Sequence, residues 1–235
     1  MYSFKNPPIR KSITLPNPRF CSGPNVQYTV FRGFVLDHKT RDFKVVRIAY
    51  LRGANCDDIV PPEVEVYKLS TVLWKIVNSK GFNYKMVIDN PSVYLNGAIH
   101  WVSYSENEGE EITNSLLVFN LSDETVSYTG LPLVQSHVCS VELSLTLCGE
   151  HISVIFKPRL HREIGPLHDS CDVWLMNQYG KPESWMTKFF VDLNGGIENA
   201  IGFTRNGEFL VEQYPGDLSS YDPRERGIVR SWYLW

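Results

Sequence analysis

The chain reads as an all-β protein, a β-propeller of four-stranded antiparallel blades, and three observations predict this. First, one hairpin pattern recurs along the 235 residues: a mostly apolar or β-branched run, a short polar turn, then a second apolar run closing on an aromatic. Its clearest copy is Val64 to Leu69 with Leu73 to Ile76, echoed by Leu116 to Asn120 with Thr125 and Val126, by Asp172 to Met176 with Trp185, and by Ser220 and Tyr221 with Ile228. Second, the hairpin turns at Gly97, Gly149 and Gly207 lie 52 and 58 residues apart, at or just above the long end of a four-stranded blade repeat. Third, Lys44 to Tyr50, Leu116 to Phe119 and Val173 to Met176 are apolar at nearly consecutive positions, as sheets covered on both faces require.

In chain order, Tyr2 to Leu15 reads as two short strands around Asn6-Pro7-Pro8, the back half of a blade spanning 1–16. Asn17 to Gln27, broken by prolines and glycine, makes a loop. The first full blade, 28–77, has predicted strands a to d at Thr29 to Leu36, Phe43 to Leu51, Val64 to Leu69 and Leu73 to Val77. Its first turn, Asp37 to Asp42, is rich in side chains that bond their own backbone. The second blade, 92–129, has Ser92 to Leu95, the Asn96-Gly97 turn, Ala98 to Ser103, Ser115 to Asn120 and Thr125 to Thr129; Asn-Gly between apolar runs is a strong hairpin signal. The third, 140–191, has Ser140 to Leu147, His151 to Lys157, Asp172 to Met176 and Trp185 to Val191. Leu131, Val134, Val138, Val141 and Leu145 carry helical spacing there, but Pro132, the valines and the repeat favour a strand. The fourth, 197–235, has Ile201 to Thr204, Glu208 to Tyr214, Leu218 to Tyr221 and Ile228 to Trp232.

Loop lengths divide the two ends of such a stack. The a-to-b turns are short, whereas the b-to-c loops (Arg52 to Pro62, Tyr104 to Asn114, Pro158 to Ser170) and the crossovers (Asn78 to Pro91, Gly130 to Cys139, Asp192 to Ala200) are long and fall on one face. Loops on a rigid scaffold carry binding, so this face is the expected recognition surface. Asp57, Asp58, Glu106, Glu108, Glu110 and Glu111 make part of it acidic, and Lys157, Arg159, His161 and Arg162 make the neighbouring loop basic. Opposed charges of this kind suit a specific protein partner, although any solvated loop also carries charge.

Signals for chemistry are weaker. His161, His168, Asp169, Cys171 and Asp172 cluster in sequence without the tight pairs of a zinc site. His100 beside Trp101 lies on a strand near the axis, where a hydrogen-bonded packing role outweighs a catalytic one. No G-x-S-x-G, phosphate-binding loop or dinucleotide fingerprint occurs, so no catalytic residue, metal or cofactor is expected. Trp74, Trp174 and Trp185 recur at related strand positions, which points to packing between blades more than to an exposed hot spot.

Net charge of -3 and pI near 6.1 provide no basic footprint for nucleic acid. No apolar run reaches membrane-spanning length and Met1 to Arg10 has no signal-peptide core, so neither membrane nor secretion is expected. Five scattered cysteines (Cys21, Cys56, Cys139, Cys148, Cys171) fit a reduced intracellular compartment, cytoplasmic or nuclear, in which Asn120-Leu121-Ser122 is not a glycosylation site.

Several ordered runs carry a resemblance over nearly the whole chain: Asn6-Pro7-Pro8-Ile9-Arg10-Lys11, Gly33 to Asp37 with Asp42 to Ile48, Val64 to Tyr67 with Trp74, Leu95 to Trp101, and Asp172 to Met176 with Glu183 to Trp185. The chain resembles the plant F-box-associated interaction domain, the kelch-like C-terminal region of many plant F-box proteins, the pollen S-locus group among them. The resemblance implies about four blades plus a partial N-terminal one, and a non-catalytic role in selecting the protein substrate of an SCF-type, cullin-based ubiquitin ligase. The F-box and first blade expected before Asn6 are absent, so adaptor binding is not expected and the ring is expected to be incomplete. Two alternatives follow: a propeller enzyme acting on sugars, which requires acidic or metal-binding side chains on the inner strands, and a truncated relic without a partner.

Overall fold

A computed structural model describes residues 2–6, 10–19, 28–51, 62–77, 86–87, 91–105, 113–132, 141–158, 170–193 and 196–232. An N-terminal hairpin pairs β1 (Tyr2–Asn6) with β2 (Lys11–Leu15). The first blade is the sheet β3 (Tyr28–Asp37), β4 (Asp42–Leu51), β5 (Glu63–Lys68) and β6 (Leu73–Val77), in sequence order and antiparallel throughout. In the second blade β7 (Met86–Val87) and β8 (Val93–Leu95) both pair with β9 (Ala98–Ser105), followed by β10 (Thr113–Asn120) and β11 (Thr125–Gly130). The third holds β12 (Val141–Cys148), β13 (His151–Pro158), β14 (Ser170–Met176) and β15 (Trp185–Asp192). The fourth holds β16 (Ile197–Phe203), β17 (Phe209–Gln213), β18 (Asp217–Asp222) and β19 (Gly227–Trp232).

Two inner strands depart from the sequence expectation. In the second blade the strand comes in two pieces, and Met86–Val87, assigned to a crossover from sequence, hydrogen-bonds opposite Tyr104 and Ser103. Pro91, which cannot donate to a ladder, precedes the second piece and hid the continuity. In the fourth blade β16 begins at Ile197, four residues before the predicted start, with register shifts at Ile197/Asn199 and Ala200/Gly202. Those irregularities break the alternation by which a strand is recognised. The segment with helical spacing is a strand from Val141 onward; Leu131 and Pro132 lie outside any regular element, and 133–140 lie outside the described residues.

Packing follows from strand periodicity, because successive side chains point to opposite faces. Val46, Ile48 and Tyr50 of β4 join Ile99, Trp101, Leu117 and Phe119 in the core between the first and second blades. Their neighbour Val45 faces the other way and packs with Tyr67, Trp74 and Leu15 against the N-terminal hairpin. Val102 and Leu116 meet Leu143, Leu145, Ile152, Val154 and Phe156 between the second and third blades, while Ile155, Cys171 and Val173 meet Val211 and Phe209 between the third and fourth. Each core cluster therefore joins consecutive sheets, and among the described residues none joins the fourth blade to the first or to the hairpin. That is a propeller stack whose ring is incomplete.

At Gly33, β3 packs directly against β9 of the second blade. A Cβ there would sit 2.7 Å from Ile99 Cδ1 and 3.1 Å from Trp101 Cζ2. Only a residue without a side chain lets the second blade close on β3.

A tryptophan links blade to preceding blade at two places. Trp74 Nε1 donates to Pro16 O at 2.9 Å, and Trp185 Nε1 donates to Gly130 O at 2.9 Å. Both acceptors sit six residues after a left-handed turn residue, Arg10 (φ 51°) and Glu124 (φ 53°) respectively. The shared register identifies β2 as the outermost, d-type strand of its blade, and β1 as its c-type partner.

Candidate functional site

The direction of the strands fixes two ends. One end carries the tight turns; from the other emerge the long connections, residues 52–62 after β4, 106–112 after β9 and 159–169 after β13. All nine candidate partner-binding residues, Asp57, Asp58, Glu106, Glu108, Glu110, Glu111, Arg159, His161 and Arg162, belong to these connections and lie outside the described residues. Lys157 does not belong with them. It sits on β13 and its Nζ donates to Glu198 O at 2.6 Å and Asn199 Oδ1 at 2.5 Å, tying the third blade to β16 of the fourth. Sequence reading grouped it with the basic loop because only three-dimensional proximity reveals those acceptors.

On β9, His100 is buried and reaches the third blade. Its Nδ1 is 3.3 Å from Val93 O and its Nε2 is 3.0 Å from Tyr179 Oη. The assignment that satisfies both is Nδ1–H donating to the carbonyl and Nε2 accepting from the phenol. Burial pushes the imidazole pKa down to about 4 against the opposing pull of the Val93 carbonyl, so the ring is neutral. Both nitrogens are engaged and the ring is sequestered, the pattern of a packed, hydrogen-bonded histidine. Cys171 is equally inert, fully buried with its thiol pushed up to about 11 by that burial. Among the described residues no three His, Cys, Asp or Glu side chains converge as metal ligands, and no helix is long and apolar enough to cross a membrane.

Among the described residues, a network of ion pairs gathers at the turn end. Lys44, buried on β4, reaches Asp37 Oδ2 at 2.8 Å and Leu121 O at 2.7 Å, with Glu124 Oε1 at 3.9 Å. Glu124 in turn holds Lys68 on Oε1 at 2.6 Å and Lys75 on Oε2 at 2.7 Å. Burial on its own would raise the Asp37 pKa, but hydrogen bonds from Lys44, Thr40 and the Lys39 amide hold it at about 2. Burial likewise opposes ionisation of Glu124, and Lys68 and Lys75 more than compensate. The network staples the turns of the first blade to the turn between β10 and β11 of the second. Sequence reading placed Asp37 and Glu124 in separate turns and Lys44, Lys68 and Lys75 on strands, since nothing in their spacing links Asp37 and Lys44 to Glu124.

A repeated turn geometry explains how the chain builds that end. Asp37, Asn120 and Asp222 each accept, on Oδ1, the amide two residues ahead, at 3.0, 2.9 and 2.7 Å. Four residues after each stands a left-handed residue, Arg41, Glu124 and Arg226. In the β5 to β6 turn, which has no such residue at its start, Asp42 supplies the same function from the neighbouring turn by accepting from Ser70 N at 3.0 Å. At the turn end of the fourth blade an open cleft of about 720 Å³ has an aromatic floor of Phe189, Phe203 and Phe209, packed edge-to-face, with Lys188 and Arg224 among its lining residues.

A family comparison agrees with the architecture. The family described as F-box associated beta propeller domain matches residues 6–225. An F-box protein of Arabidopsis thaliana is 23% identical over 261 residues, covering 93% of this chain; the chain spans 58% of that relative's length. Among solved structures, dipeptidyl peptidase 4 of Porphyromonas gingivalis aligns over 91% of this chain and 40% of its own, at 12% identity and a TM-score of 0.45.

Proposed function

Because the chain belongs to the F-box-associated β-propeller family, we propose that it is a non-catalytic target-recognition module acting for an SCF-type ubiquitin ligase. The observation that carries this reading is the segregation of connections. The sheets are rigid and mutually packed, and the long b-to-c segments all leave from one end. A protein target would be held there by Asp57, Asp58, Glu106, Glu108, Glu110 and Glu111 on the acidic side and Arg159, His161 and Arg162 on the basic side. Electrostatic complementarity of opposed patches sets register and suppresses wrong partners. The relative's description as an F-box protein supports the ligase assignment, and the work would take place inside the cell, in cytoplasm or nucleus.

The test is affinity capture from plant tissue with the native chain and with a variant carrying Glu108→Lys, Glu110→Lys, Arg159→Glu and Arg162→Glu. A target that binds the native loops and is depleted at least about tenfold by charge reversal supports the assignment. A target retained equally by both removes these loops from recognition, and a captured set free of ubiquitin-conjugated species removes the ligase role.

A further inference from the structure

The end of the stack opposite the long connections carries a charge pattern of its own. Among the described charged groups of the first-blade turns and the facing β10–β11 turn, the cations Lys39, Arg41, Lys44, Lys68 and Lys75 meet the carboxylates Asp37, Asp42, Asp123 and Glu124. Two of the four carboxylates, Asp37 and Glu124, are turned inward, Asp42 is half-buried and Asp123 is exposed. Asp37 is buried against Lys44, the Glu124 side chain is only 9% exposed beneath Lys68 and Lys75, and Asp42 accepts from both Ser70 N and Ser70 Oγ. The positive charge faces out: Lys39 and Arg41 are exposed, and the Lys75 side chain is 64% exposed.

Glu124 also sets the positions of two of these ammoniums. Lys68 and Lys75 occupy different oxygens of one carboxylate, so their charges stand side by side at the rim. Bare aliphatic surface lies beside them: Val72 is 57% exposed and Leu73 65%. Leu73 is the cross-strand partner of Lys68 and lies two residues from Lys75, hence on the same face of β6. The turn bearing Lys39 and Arg41 is fastened to this one by Leu69 N donating to Phe43 O at 3.0 Å. Apolar side chains held in water, with Lys68 and Lys75 on the face of Leu73 and Lys39 and Arg41 on the adjoining turn, form a surface of defined complementarity.

We propose that this turn-end surface of the first blade docks an acidic polypeptide segment of a partner protein, with an apolar side chain on Val72 and Leu73 and carboxylates on Lys39, Arg41, Lys68 and Lys75. Charge complementarity selects an acidic segment over a turn-to-turn pairing of two copies, because the second turn end would present the same outward cations. The inference goes beyond the recognition role assigned to the long loops and uses the opposite end of the molecule.

The probe is a blocked pentapeptide of phenylalanine flanked on each side by two glutamates, titrated into the isotope-labelled chain and followed by amide chemical shifts. Shifts are expected in residues 38–43 and 68–75. Affinity should fall at least about tenfold when glutamines replace the glutamates, and fall again when salt is raised from about 0.05 to 0.5 M. The Lys39→Glu/Arg41→Glu pair and Leu73→Ser alter only exposed side chains, so thermal unfolding should be unchanged while binding weakens. Equal affinity for the glutamine peptide, shifts confined elsewhere, or binding unaffected by these variants would overturn the proposal. Self-association in light scattering that Leu73→Ser abolishes would assign the surface to a second copy and overturn it as well. Either failure leaves the capture result for Glu108, Glu110, Arg159 and Arg162 standing on its own.

Discussion

Acid should destabilise this fold through His100. The ring is fully buried, and burial lowers its pKa to about 4 in the folded state; in the unfolded chain it titrates near an ordinary value of about 6.5. Between those values the unfolded chain takes up a proton that the folded protein refuses. Stability therefore rises with pH across the window and falls as acid is added. At ~1.4 kcal/mol per pH unit, the contribution lost is about 2 kcal/mol between pH 7 and pH 5 and about 3 kcal/mol by pH 4. Urea unfolding at pH 5, 6 and 7 measures it, provided the slope of free energy against denaturant stays constant. His100→Gln should be less stable at pH 7, because it disturbs the bonds to Val93 O and Tyr179 Oη, but its stability should change about 2 kcal/mol less between pH 7 and pH 5. A variant with the same pH slope as the native chain would refute the assignment of a neutral, sequestered imidazole.

Three further perturbations address packing between blades. Lys44→Met strands Asp37 in a buried site and removes the donor to Leu121 O, and should cost about 3–5 kcal/mol in urea unfolding, with Lys44→Met/Asp37→Leu recovering part of the loss. Trp185→Phe keeps most of the ring surface but loses the bond to Gly130 O; a loss of about 1 kcal/mol is expected in thermal unfolding, and Trp74→Phe should behave alike at Pro16 O. Gly33→Val forces side-chain atoms against Ile99 and Trp101 and should cost about 1–3 kcal/mol; Ile99→Ala in the same chain should relieve part of the clash, and additivity of the two would count against direct contact.

What could be read from the residues was what repeats. The hairpins at Val64 to Val77 and at Ala98 with its Asn-Gly turn announce themselves because burial on both faces demands contiguous apolar residues and tight turns demand particular ones. The turn-bonding role of Asp37 was legible for the same reason, being local. The lost features are those in which distant residues meet. Lys44 in an apolar strand found its carbonyl at Leu121, 77 positions away, and the acceptors of Trp74 and Trp185 are backbone atoms without a sequence mark. Strand ends were lost where Pro91 or a bulge interrupted the alternation. Cys171, one of the five residues clustered in sequence between His161 and Asp172, is buried in a core.

The sequential arrangement of core clusters bears on how the molecule comes apart. Each sheet is stabilised by its neighbours, so stability is distributed as in a row of coupled units, and the outermost member of a row has one neighbour instead of two. The N-terminal hairpin is joined to the rest through the cluster of Leu15, Val45, Tyr67 and Trp74, the smallest of the four. Its amides should exchange with solvent by local fraying, well before those of β9 and β10, which are clamped on both faces. Cooperativity in this fold is thus graded along the chain, highest in the second and third blades.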